Sequence, residues 1–156
     1  MKIVAPLILS LLLSQTVLAF EVGKTLAPFQ IKNQYDEKAE LSAETHWVFF
    51  SSDMNAAKML TEYLNENATK VDLSKTLIIS DISKMPAFVS KMFAIPKMKK
   101  YSFKLALDRN GETTKDWPRK EGVLTVLKLS QLKIESIQSL ENKEGVVAFF
   151  KDQYQP

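Results

Sequence analysis

The run His46-Trp47-Val48-Phe49-Phe50 leaves a folded chain few options, because its aromatic and β-branched residues are not interleaved with polar ones. A strand with one wet face alternates apolar and polar side chains, whereas a strand covered on both faces is apolar almost throughout. The composition therefore predicts a buried central strand over residues 46–50. Thr76-Leu77-Ile78-Ile79-Ser80 has the same character and predicts a second buried strand. Between the two, Ser51-Ser52-Asp53 ends the first strand. Ser52 or Asp53 can cap the next helix, since a short side-chain oxygen accepts from the free amides of a first helical turn. Met54 to Asn65 then carries Ala57, Leu60, Tyr63 and Leu64 on one face, a helix of about three turns.

The remaining elements follow from similar signals. Phe29 to Lys32 and Ala39 to Leu41 flank the turn cluster Asn33-Gln34-Tyr35-Asp36 and predict a small entry hairpin. Met85 to Phe93 predicts a helix with Phe88, Val89, Met92 and Phe93 facing inward, Pro86 in its first turn and Pro96 marking its exit. Ser102 to Leu107 alternates as a strand, and Asp108-Arg109-Asn110-Gly111 is a turn whose Asn-Gly pair suits positive φ. Val123 to Leu129 and Lys133 to Ile137, separated by Ser130-Gln131, predict a hairpin, and Glu144 to Phe150 a closing helix. Strands separated by helices, ending in an antiparallel hairpin and a helix, describe an α/β fold in three layers: a mixed central sheet with helices on both faces.

The N-terminus predicts export. Lys2 is followed by an apolar run from Ile3 to Leu13 broken only by Ser10, and Val17-Leu18-Ala19 places small residues where a signal peptidase needs them. That run is shorter than the ~20 residues required to span a bilayer. Residues 1–19 therefore read as a signal peptide cleaved after Ala19, with an uncleaved anchor as the competing reading. Residues 20–156 form a single domain, bound for the periplasm without stable membrane insertion.

Composition then excludes several functions. The chain has 21 basic and 18 acidic residues, a formal net charge of +3 that drops by one when Lys2 leaves with the leader. This is too mild for a nucleic-acid-binding face. Cysteine is absent, although exported proteins meet an oxidising space. Thiol catalysis, disulfide exchange, thiolate metal sites and haem attachment through cysteine are thus unavailable.

The segment Val48-Phe49-Phe50-Ser51-Ser52-Asp53-Met54-Asn55-Ala56-Ala57-Lys58 resembles the strand-to-helix motif V-x-F-W-A-S-W-C-G-P-C-K of the thioredoxin-like superfamily, in its exported thioredoxin and peroxiredoxin-like branch. Val22-Gly23-Lys24-Thr25-Leu26-Ala27-Pro28-Phe29 is similar to that branch's G-x-x-x-P-x-F entry segment, and Val123-Leu124-Thr125 takes the place of its V-P-T. The resemblance implies a thioredoxin-like fold in which Met54 and Ala57 occupy the two cysteine positions and Leu124 that of the cis-proline. The losses gather at the redox site, as in a scaffold kept after its chemistry was lost.

A thiol at a helix N-terminus is activated because free amides and the helix dipole stabilise its thiolate. The Met54 thioether cannot ionise, so it neither attacks a disulfide nor forms a mixed one. The expectation is a non-catalytic module that recognises another envelope protein or peptide through the old active-site groove, over Asp53, Met54, Ala57, Trp117 and Leu124. Trp117 has a second reading, tucked in to cover the sheet edge. The alternative function is a thiol-independent enzyme or a copper carrier, for which the methionines Met54, Met59, Met85, Met92 and Met98 are the candidate thioethers. Met85 and Met92 are spaced as core residues, no metal site is assigned, and no cofactor is expected. His46, the only histidine, starts a strand, and some 16 Å of extended chain would separate it from Ser51 or Ser52, too far for a hydrolytic triad. Lys91, Lys97, Lys99, Lys100 and Lys104 form a basic group near Phe93 and Tyr101. It reads as a solvated helix terminus or as a surface for an anionic partner, a lipid headgroup or an acidic protein.

Overall fold

The computed structural model describes residues 20–67 and 69–156, so the expected signal peptide over residues 1–19 lies outside the described residues. The apolar run becomes β3 (Trp47–Ser51), buried at every position, in a seven-stranded sheet of order β2-β1-β5-β4-β3-β6-β7. Its parallel neighbour is β4 (Thr76–Asp81), and its antiparallel neighbour is β6 (Leu124–Ser130). The sheet is thus mixed. Its edges are the entry hairpin of β1 (Phe29–Asn33) and β2 (Lys38–Leu41), and β7 (Lys133–Leu140), which pairs with β6. At the outer edge of β7 the segment before β1 is tied down by bonds from Gly23 N to Ile134 O at 2.8 Å and from Leu26 N to Leu132 O at 2.9 Å.

Two apolar clusters sit on opposite faces of this sheet, because successive strand residues point to opposite sides. Trp47 and Phe49 belong to one, with Leu60 and Leu64 of α1 (Met54–Asn67) and Val146, Phe149 and Phe150 of α4 (Lys143–Asp152). Val48 and Phe50 belong to the other, with Leu77, Ile79, Leu127, Leu26 and Trp117. The expected three layers are present, but the cover of the second face comes from the entry segment and the 109–123 loop. Among the described residues, every helical side chain that joins a core cluster joins the first.

The second crossover departs from expectation in three ways. Residues 87–98 form one composite helix, α2 (Ala87–Val89), a π-helical turn (Ser90–Ala94) and α3 (Ile95–Met98). Pro96 is inside it and does not mark its exit. Proline lacks an N–H, and here it falls in the first turn of α3, where no intrahelical donor is needed, after the π turn has passed the chain on. Phe88, Val89, Met92 and Phe93, expected inward, are exposed, and it is Ile95 and Met98 that pack against the core. The strand expected over 102–107 is confined to β5 (Ala106–Asp108). The reason is Gln34, whose buried amide donates to Phe103 O at 2.8 Å and accepts from Leu105 N at 2.7 Å, taking the backbone groups that a neighbouring strand would otherwise pair.

Candidate functional site

The carboxyl ends of β3, β4 and β5 and the loop entering β6 converge at the N-terminus of α1. Asp53 organises this corner. Its Oδ1 accepts from Asn55 N at 2.9 Å and Ala56 N at 3.0 Å, which caps α1, and its Oδ2 accepts from Gly122 N at 2.9 Å. One carboxylate therefore saturates amides of the helix opening and ties the loop before β6 to it. Gly122 has φ of +71°, the left-handed conformation that turns its N–H toward Asp53.

Met54 follows as the first residue of α1 and is 75% exposed. Ala57 is half-buried, and Ala56 is the alanine fully inside. The buried face of α1 is Ala56, Leu60, Thr61 and Leu64, one position round from the expected stripe, while Tyr63 is half-buried and stacks on Phe150 at 4.6 Å. Beneath the cap, Ser51 Oγ and Ser80 Oγ share a hydrogen bond of 2.6 Å and are both buried, so neither hydroxyl is free as a nucleophile.

The other two groove residues are placed elsewhere. Leu124 is fully buried in the helix-side cluster and pairs with Leu140 across the hairpin. Trp117 is only 8% exposed and sits in the opposite cluster, edge-on to Phe50 at 5.2 Å and Phe29 at 6.1 Å and tilted against Phe20 at 5.6 Å. Met54, Trp117 and Leu124 thus do not form one apolar patch. A central sheet with two apolar faces needs cover on both, and the indole supplies it where no helix does.

Sequence reasoning missed the polar cluster that holds this cover in place. Arg119 Nη2 donates to Asp81 Oδ2 at 2.8 Å and to Thr114 Oγ1 at 3.1 Å, and its guanidinium lies 5.4 Å from the Phe50 ring centre. The buried Asp108 accepts from Thr114 N and Thr114 Oγ1, each at 2.8 Å, and from Gly111 N at 2.9 Å. The signal available was an aspartate directly after each of two apolar runs, with an arginine in the loop that follows. Each carboxylate is matched by donors, and among the described residues no buried side-chain polar atom lacks a partner. The cluster works as a clasp on the loop.

His46 stands before β3, at the opposite end of the strand from Ser51, with its carbonyl accepting from Leu129 N at 2.7 Å. Met59 and Met98 pack against the core from two helices, as filler. Among the described residues no helix is long and apolar enough to cross a membrane.

No protein-family model matches the chain, and no curated protein does. Solved structures do. The peroxidoxin BcpB of Mycobacterium tuberculosis aligns over 85% of this chain and 98% of its own, with a TM-score of 0.54 at 13% identity. The thioredoxin domain of a thiol-disulfide oxidoreductase from Bacteroides vulgatus aligns over 85% and 99%, at 0.54 and 12%. The exposed lipoprotein thioredoxin Etrx1 of Streptococcus pneumoniae aligns over 81% and 99%, at 0.54 and 11%.

Proposed function

From a thioredoxin-like fold that contains no thiol, we propose that this protein is a redox-inert binding module of the cell envelope, holding a polypeptide partner at the surface around Met54. The observation that carries the reading is the state of the α1 N-terminus. Asp53 has taken the helix amides that would otherwise stabilise a thiolate, and Met54 projects beside it as an exposed, unbranched thioether. Methionine is flexible and polarisable, and it serves as a contact residue on surfaces that grip apolar side chains. The loop tied to Asp53 through Gly122 gives that contact a fixed border. With Trp117 and Leu124 inside, the partner would meet Met54 and this border and would not enter a deep groove. The envelope setting rests on the signal-peptide pattern of residues 1–19.

Site-specific photo-crosslinking in intact cells tests this reading. A crosslinking amino acid at position 54 is expected to trap a discrete adduct, while the same probe at Val147, exposed on α4, does not. Adducts of equal yield at both positions, or none at 54, would discard the proposal.

A further inference from the structure

The composite helix at 87–98 presents the reverse of what a globular fold requires. Phe88 is 67% exposed, Phe93 63% and Met92 59%, and the two phenylalanines meet edge to face at 6.0 Å. They form one exposed apolar ridge and are not scattered surface residues. Along the segment that carries it the charge has a single sign. Between Asp81 and Asp108 the sequence holds six lysines and no acidic residue. Lys104 pairs with Glu37, whereas among the described residues Lys84, Lys91, Lys97, Lys99 and Lys100 form no ion pair. With six of the 21 basic residues and none of the 18 acidic ones in this stretch, the rest of the chain carries a net negative charge.

We infer that this ridge docks the protein onto an anionic phospholipid surface, Phe88, Met92 and Phe93 entering the headgroup and acyl boundary while the lysines meet the phosphates. The chemistry decides among occupants. A second copy of the chain, facing the ridge about a two-fold axis, would set lysines against lysines. A groove on a protein partner requires a matched shape, whereas exposed aromatic side chains flanked by lysines enter a deformable anionic lipid interface without one. Apolar insertion and lysine attraction are the two contributions whose sum makes peripheral attachment stable, and either one alone is weak. The surface is distinct from Met54, so this inference stands or falls apart from the binding proposal.

Flotation of the chain lacking residues 1–19 with vesicles tests the inference. Phosphatidylcholine vesicles containing phosphatidylglycerol are expected to carry the protein, and vesicles of phosphatidylcholine alone are not. Reversing Lys91 and Lys97 to glutamate is expected to weaken binding at least about fivefold, and Phe88→Ser with Phe93→Ser should do the same. Both pairs are exposed, and circular dichroism checks that the variants stay folded. Raising the salt should release the wild type. Failure to float with anionic vesicles would overturn the inference. So would binding unaffected by the phenylalanine changes, capture by polyglutamate in place of lipid, or dimerisation through the ridge.

Discussion

At the scale of single residues, Asp53 and Trp117 carry the most weight, for different reasons. Asp53 satisfies two helix amides and one loop amide, so Asp53→Ala leaves three donors to water or to nothing. The expected loss is about 1–3 kcal/mol in urea unfolding, with Asp53→Asn keeping the helix cap but losing the bond from Gly122 N, because its amide nitrogen cannot accept. Trp117→Ala should cost about 3–5 kcal/mol, because it opens a cavity against Phe50 and Phe20. Met54→Ala should be within about 0.5 kcal/mol of wild type, since an exposed side chain gives up little on truncation. Denaturant midpoints for the four variants check this order. A Trp117 variant as stable as the Met54 one would mean that the indole is a surface group after all.

At the scale of elements, the closing segment is strapped to the sheet by hydrogen bonds that pH can probe. Tyr154 OH donates to Asp72 O at 2.6 Å and shares a hydrogen bond with Thr76 Oγ1 at 2.7 Å, and Trp47 Nε1 donates to Gln155 O at 2.7 Å. Burial pushes the Tyr154 phenol above its ordinary range, Asp72 adds to this, and the Thr76 hydrogen bond opposes it. A raised pKa means that the unfolded chain loses this proton first, so the strap's stability is complete below the ordinary tyrosine range and falls as pH climbs through the folded value. Tyr154→Phe is expected to flatten that alkaline decline in thermal melts. At the entry hairpin the sign reverses. The Asn33 amide, then the Lys104 ammonium, hold the Glu37 carboxyl below the usual range. Its contribution is therefore present at neutral pH and disappears as the solution is acidified through the lowered value. Glu37→Gln should remove that acid dependence. A variant with the wild-type acid profile would show that the hairpin contacts are not what titrates.

At the scale of the whole molecule, the elements were legible because the strands over 46–50 and 76–80 admit no face for water, and a mixed sheet follows from the helix between them together with the antiparallel hairpin near the end of the chain. The cover of that sheet was harder to read. Phe88, Val89, Met92 and Phe93 have helical spacing, and spacing alone does not say which side of a helix meets the core. The π turn and Pro96 shift the packed face onward to Ile95 and Met98. Gln34 shortened β5 through a side chain standing in for a strand, which no backbone pattern announces. Asp53 and Met54 were located by sequence at the helix opening, where cap chemistry is local. Trp117 and Leu124 lie far from them along the chain and entered two separate cores.

These parts share one premise, that the opening turn of α1 is the place where a thioredoxin-like fold would carry its reactive pair, and that this chain fills it with side chains incapable of thiol chemistry. Installing Met54→Cys and Ala57→Cys together asks the scaffold directly. Mass spectrometry and thiol titration after equilibration in a glutathione buffer should find an intramolecular disulfide that reduction reopens. Two thiols that remain free under oxidising conditions, or that couple only between molecules, would contradict the account.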